Sequence, residues 1–444
     1  MNRARLGKLF ADYGNVLVLL LLCLAISLIT LEAQSTTSNA AARRLAARVA
    51  SGHQPGATVL VLVAKGGGRE QFADTLADEL GKAGLIVTKE VTRRPADAKK
   101  ILAAADTRLD AVAADSRMGD FCGDNLPKLA KGNPALADTK VWQPAIRAWP
   151  VFLKRENLLN IMKQISVVAV IAIGMTMVII TAGIDLSVGS LIAFSGVITA
   201  LAIGGLGGAD PTITHLLIGS GAGILACALI GMFTGGMVTV FNIPPFIVTL
   251  GIMFMARGLA YIFSGNDPVL VGNEAFGWLG RGQQFLGIYN SVILMLLLYA
   301  GAHVMMTRTS IGRYIYAVGG NPEAARLSGV PVKWVLVFVY TLCGLLAGLG
   351  GVMEASLHIT GDPQSGDMVE LQVIAAVVVG GTSLAGGQGR ILGTLIGALI
   401  IAVIRNGMNL TGVEAHMQSV VYGVVILVAV LVDQLKHRGL KAAQ

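Results

Sequence analysis

The sequence predicts an all-α polytopic membrane protein of about ten transmembrane helices, with broken helices, a parallel-type internal repeat and a small α/β extracytoplasmic insert. Three observations carry this expectation. Hydrophobic residues make up 54% of the 444 and charged residues only 14%, with a mean hydropathy of +0.70, figures foreign to a soluble chain of this size. Apolar runs of spanning length recur along the chain. About half of the charged side chains lie between residues 40 and 150, so the polar part is a single block.

The first apolar run, 16–31, follows Arg3, Arg5 and Lys8. It lies near the upper length of a signal peptide. Leu31-Glu32-Ala33 makes a poor small-x-small cleavage site, and Leu22 before Cys23 is too bulky for lipoprotein processing. Residues 1–35 are therefore expected to be a cytoplasmic N-terminus and a retained first helix. Residues 36–150 form the insert, with strands expected at 58–63, 85–91 and 111–114 and helices at 70–83 and 96–105. Strands alternating with helices imply a small parallel sheet. That order resembles, in architecture alone, the first half of a periplasmic sugar-binding domain. Lys65-Gly66-Gly67-Gly68-Arg69 opens a helix where open α/β sheets bind ligands, although the second half of a dinucleotide fingerprint is missing. The stretch 115–124 reads as a loop, solvated or else ligand-facing. A half domain lacks the lobe that would enclose a sugar, so a docking or regulatory module is expected, with direct ligand sensing as the alternative.

Residues 151–444 hold the remaining runs. With the first, they centre near Leu20, Ala172, Ser195, Leu225, Met255, Leu296, Leu345, Val378, Ala398 and Leu427. An even number of spans puts both termini on one side. Arg3, Arg5 and Lys8, then Arg308, Arg313, Arg326 and Lys333, then Lys436, Arg438 and Lys441 share that side, which the positive-inside rule makes cytoplasmic. The insert then lies outside, where long translocated domains escape the charge rule; Arg405, near the outer end of its span, is an exception. Two glycine-rich breaks, 178–189 and 377–387, both run from β-branched residues through a turn into another apolar helix, the basis for the expected repeat.

Several segments carry a family signature: Asn157-Leu158-Leu159-Asn160-Ile161, the run from Ala172 through Gly183-Ile184-Asp185-Leu186-Ser187-Val188-Gly189-Ser190, Pro244-Pro245-Phe246-Ile247-Val248-Thr249-Leu250-Gly251, Gly320-Asn321-Pro322-Glu323-Ala324-Ala325-Arg326-Leu327-Ser328-Gly329, and Gly380-Gly381-Thr382-Ser383-Leu384-Ala385-Gly386-Gly387. In this order they resemble the membrane-spanning permease of ribose/xylose/galactose-type (monosaccharide) ABC importers, over nearly everything after Asn157. The resemblance implies an ATP-binding ABC partner subunit, a periplasmic substrate-binding protein and a second permease copy, homodimeric or heterodimeric, in the inner membrane. It makes residues 320–329, within a cytoplasmic loop at 307–333, the helix that couples to the ATPase. The α/β insert after the first span departs from the family pattern.

Read alone, 320–329 is a short helix with clean boundaries: Asn321 as N-cap, Pro322 at the first position, Glu323 in the first turn, Arg326 near the end and Gly329 beyond it. A two-turn helix is marginal by itself, so packing is expected to hold it. Candidate pathway and broken-helix residues are Gly183, Asp185, Ser187, Gly189, Asn242, Pro244, Thr249, Gly381, Thr382 and Ser383. Polar groups within a span mark function by default. Asp185 admits three readings: it lines the route, caps the helix beginning near Ser187, or pairs with Arg257. Arg257 either snorkels or pairs with Glu354 or another acid. Asn242 and Pro244 fit gating and ordinary helix initiation alike. The small residues at 344–351 and 393–397 read as packing.

No catalytic constellation is expected, nor any cofactor on this chain. There is no Gly-x-x-x-x-Gly-Lys-Ser/Thr, so if transport is ATP-driven another chain binds the ATP. The 6 histidines are scattered without ligand spacing and no paired-Cys motif exists, so no metal site is expected. Of the 4 cysteines only Cys122 lies in the insert, which excludes a disulfide there. Despite a net charge of +8, no basic run interleaved with aromatics points to nucleic acid. Rival readings are a permease for branched-chain amino acids, nucleosides or another small polar solute, a secondary transporter using Asp185, and a membrane-anchored receptor.

Overall fold

The computed structural model describes residues 3–441 except 36, 67 and 209. Gly67 of the glycine loop, and the side chains of Arg3, Arg5, Lys8, Lys436, Arg438 and Lys441, lie outside the described set. The chain divides into two compact units, residues 1–30 with 151–444, and residues 31–150.

Helix α1 (Arg3–Ile29) opens the chain. The 31–150 unit begins with strand β1 (Leu31–Ser35) and helix α2 (Asn39–Ser51), continues through β2 (Thr58–Ala64), α3 (Arg69–Lys82), β3 (Ile86–Thr92), α4 (Pro95–Ala103), β4 (Ala111–Ala114), α5 (Ser116–Leu129) and β5 (Lys140–Trp142), and ends with β6 (Ile146–Pro150). Strands β3-β2-β4-β5 form one parallel sheet in that order, while β1 and β6 pair antiparallel where the chain enters and leaves. Val59, Val61 and Val63 of β2 pack with α2 and α3, whereas Leu60, Leu62 and Ala64 pack with α4 and α5. A strand buried on both faces is an unbroken apolar run, which is why β2 was legible.

Two expectations for this unit need correction. The stretch 115–124 is a helix rather than a loop, since Asp115 accepts the Met118 amide at 3.1 Å and caps α5. The boundary with the first helix falls at residue 30 rather than 35, because 31–35 pairs with 146–150.

The other unit continues with α6 (Arg155–Ile180), α7 (Val188–Gly207), α8 (Ile213–Val240), α9 (Pro245–Ser264), β7 (Val269–Leu270), α10 (Trp278–Arg281), α11 (Asn290–Arg308), α12 (Ser310–Gly320), α13 (Pro322–Leu327), α14 (Val332–His358), β8 (Thr360–Gly361), α15 (Val369–Val379), α16 (Ile391–Leu410) and α17 (Ala415–Lys441). Every predicted span centre falls on a helix. Among the described residues 7 helices are long and apolar enough to cross a membrane (α6, α7, α8, α9, α11, α14 and α16), and shorter apolar stretches lie at 14–29, 369–379 and 415–428. The eleven residues of α15 rise only about 16 Å, half of a hydrocarbon core.

Helix α6 is the centre, buried from Ile165 to Ile180. Tyr299 of α11 donates to its Ala169 carbonyl at 2.9 Å, and its Thr176 hydroxyl meets Thr394 of α16 at 2.7 Å. Helix α14 lies against α8 with backbones in contact: a Cβ on Gly231 would strike the Tyr340 carbonyl, and one on Gly344 the Cys227 carbonyl. Close approach of this kind is how helices associate when lipid supplies no hydrophobic drive.

Candidate functional site

The two helix breaks close in the same way. After α6 the Gly183 amide reaches the Val178 carbonyl at 2.9 Å and the Ala182 amide that of Ile179 at 2.9 Å. After α15 the Thr382 amide reaches Val377 at 3.2 Å and the Gly381 amide Val378 at 2.9 Å. Both are six-to-one closures around a left-handed residue, with φ +58° at Ala182 and +91° at Gly381. The hydrogen bonds equate Val178 with Val377, the register in which the two sequence motifs align.

Asp185, 2% exposed, does not cap α7, whose N-cap is Ser187 without a side-chain cap bond, and instead forms a turn just before it. Its Oδ1 accepts the Ser187 amide at 2.9 Å and hydroxyl at 2.6 Å, shaping the turn into α7, and Cys343 of α14 lies near it. Tyr340, one turn earlier on α14, sets a buried hydroxyl without a hydrogen-bond partner beside Gly183. The pair with Arg257 is not formed, and neither is the one with Glu354. Arg257 donates instead to the carbonyls of Pro363 and Ser365 at 2.8 and 2.7 Å, pinning the segment before α15, while Glu354 faces His358. Gly189, in the first turn of α7, gives the space taken by Glu370 and the Gly366 carbonyl.

Thr249 joins this group, for its hydroxyl reaches the Ile184 carbonyl at 3.3 Å. Asn242 and Pro244 do not. They lie exposed in the turn before α9, Asn242 with φ +54°, and no described hydrogen bond links either to the breaks. In the second break Thr382 is buried with its hydroxyl unpartnered, and Ser383 Oγ accepts the Ala385 amide at 3.2 Å.

The short helix α13 forms with the caps expected of it. Asn321 Oδ1 accepts the Ala324 amide at 3.0 Å. At the other end the Val330 amide returns to Ala325 and that of Gly329 to Arg326, both at 3.0 Å, with Gly329 at φ +83°, a six-to-one and five-to-two pair. Packing contributes little, contrary to expectation. Within α13 only Ala325 is buried, the Glu323–Arg326 pair at 2.9 Å is open to solvent, and Leu327 is 83% exposed. The preceding stretch is also more ordered than a loop, because α12 fills it and Asn321 ends α12 and begins α13 together.

Composition gave no sign that these regions touch. The Gly387 amide donates to the Ile180 carbonyl at 2.8 Å, so the second break bonds to the end of α6. Gly319 fits between them, since a Cβ there would strike both groups. Tyr316 of α12 donates to the Gly389 carbonyl at 2.8 Å. Tyr316, Gly319, Tyr340, Cys343 and Glu370 were not singled out beforehand. Each is an ordinary residue in an apolar or loop context, and only long-range contact distinguishes it.

The family described as branched-chain amino acid transport system / permease component matches residues 157–430. The ribose import permease protein RbsC of Escherichia coli (strain K12) is 45% identical over 292 residues, 65% of this chain and 88% of that protein. Its Bacillus subtilis (strain 168) namesake is 44% identical over 289 residues, 65% and 87% of the two chains. The L-arabinose ABC transporter permease protein AraH of Azospirillum brasilense is 37% identical over 294 residues, 66% and 84%. No solved structure matches. The family match starts at 157, so the α/β unit precedes it.

Proposed function

The chain belongs to the branched-chain amino acid transport system / permease component family, and from that premise we propose that it is the membrane-spanning subunit of an ATP-driven ABC importer for a monosaccharide, a pentose or hexose. The observation that carries the reading is 45% identity across 88% of a relative named for ribose import. The relative named for L-arabinose favours a sugar over a branched-chain amino acid or nucleoside.

In this reading ATP is bound and hydrolysed by a partner subunit, and α13 is the surface that the partner grips. Leu327 offers an apolar tip, and the caps hold the helix in shape. A soluble binding protein delivers the sugar to the opposite face, and a second permease copy completes the pathway. The termini face the cytoplasm, the membrane is the inner membrane, and residues 31–150 lie outside as a docking or regulatory module for the binding protein. The breaks at 181–187 and 380–390, with Thr249, border the route. Asp185 serves it by fixing the turn.

Purification of the tagged chain from native membranes in mild detergent, with mass spectrometry of stoichiometric partners, tests this. A P-loop ATPase is expected, together with ATP-dependent uptake of radiolabelled ribose or arabinose in reconstituted vesicles. A chain recovered without an ATPase, or uptake that follows a proton gradient and fails in Asp185→Asn, would overturn it.

A further inference from the structure

Three segments distant in sequence meet at one point: the end of α6, the turn after α15 and the end of α12. The contact is backbone to backbone. The Gly387 amide holds the Ile180 carbonyl at 2.8 Å, a Cβ on Gly386 would meet the Gly319 carbonyl and Ala182, and one on Gly387 would meet Gly320 at 3.0 Å. The turn is internally braced, because the Ser383 amide reaches the Gln388 carbonyl and the Gly386 amide that of Ser383, both at 3.1 Å. A braced turn moves as a unit. Atoms packed this closely transmit displacement rather than absorb it.

One side-chain hydrogen bond adds direction to this joint. Tyr316 sits on α12, five residues before Asn321, and its hydroxyl donates to the Gly389 carbonyl at 2.8 Å. Asn321 ends α12 and begins α13, so a single residue joins the two helices and a displacement of α13 acts on α12 through it. Glycine contacts resist compression alone, whereas a hydrogen bond also resists separation, so Tyr316 lets α12 pull the turn as well as push it. We propose that Tyr316 is a positioning residue that carries the movement of α13 to the second helix break through the Gly389 carbonyl. The proposal rests on the importer reading of α13 and goes beyond it by naming the link.

The test uses the complete transporter, the chain with its co-purified ATPase in nanodiscs, and hydrogen–deuterium exchange with and without a non-hydrolysable ATP analogue. In the unaltered chain the analogue is expected to change exchange in both 322–330 and 381–389. In Tyr316→Phe, which removes only the hydroxyl, the response of 322–330 is expected to persist and that of 381–389 to fall about five-fold, the worth of one hydrogen bond. Resting exchange in 155–180 should not move, which separates a lost link from a damaged fold. An undiminished response at 381–389 overturns the proposal, and so does loss of both responses. A chain that binds no ATPase even when unaltered defeats the importer reading itself, and is seen before any variant is made.

Discussion

Removing the N-cap of α13 should loosen that helix while leaving the rest of the chain intact. In Asn321→Ala the Oδ1 that accepts the Ala324 amide at 3.0 Å is lost, at a cost of about 1 kcal/mol. Little else compensates. One alanine is buried within the helix, and the Glu323–Arg326 pair has side-chain exposures of 75% and 68%, worth at most a few tenths of a kcal/mol. About 1 kcal/mol is a five-fold shift in population, so amide exchange across 324–328 should accelerate about five-fold in the purified full chain. Asn321→Ser keeps an acceptor and should stay near the unaltered rate, and Glu323→Gln should change exchange less than two-fold. If Asn321→Ala leaves exchange unchanged, or Glu323→Gln exceeds it, the helix is held by something other than its N-cap. ATPase association measured on the same variants then reports whether the ordered helix is what the partner binds.

Other perturbations follow from particular contacts. Gly344→Val drives a branched side chain toward the Cys227 carbonyl and should cost roughly 1–3 kcal/mol or more, read as loss of the monodisperse peak in detergent size-exclusion chromatography; an unchanged peak would deny the close packing of α8 and α14. Thr394→Val removes the 2.7 Å partner of Thr176 but leaves its bond to the Ala172 carbonyl, so a small loss of about 0.6 kcal/mol in thermal stability is expected. In the 31–150 unit, burial pushes the Asp115 carboxyl upward, opposed by the Met118 amide and the Arg69 guanidinium, whose Nε stands 2.9 Å away. A carboxyl raised in the folded state binds its proton more readily there than when unfolded. Its contribution is therefore full below the ordinary value of about 3.9 and is lost as pH rises through the raised one. Asp115→Asn should flatten the pH dependence of this unit's unfolding just above that value; an unaltered slope would refute it. Burial also lifts the Cys122 thiol to about 12, so it should resist alkylation at neutral pH until the unit unfolds.

How far each feature could be read from the sequence depended on the range of the interaction that sets it. Span positions were legible because a run of apolar side chains in lipid can satisfy its backbone only as a helix. The sheet of the 31–150 unit showed itself in the unbroken apolar run of β2, and α13 in the local chemistry of Asn321, Pro322 and Gly329. Helix α5 was hidden because Asp115, Gly119, Asp120, Gly123 and Asp124 have the composition of a loop. Met118, Cys122 and Leu126 make a buried helical face only once β4 is beside them. The turn that Asp185 makes with Ser187 is local but differs from the cap expected of it, since Ser187 itself is the N-cap, whereas the partners of Arg257 are carbonyls that have no side-chain signature.

Local sequence thus determined where the apolar helices of this chain lie, where two of them break and how α13 is capped, since those depend on groups within a turn or so of one another. The tertiary structure alone decided that the ends of α6, α12 and α15 converge. That convergence is made by glycine backbone and carbonyl groups, which every residue type carries and no pattern of side chains can announce.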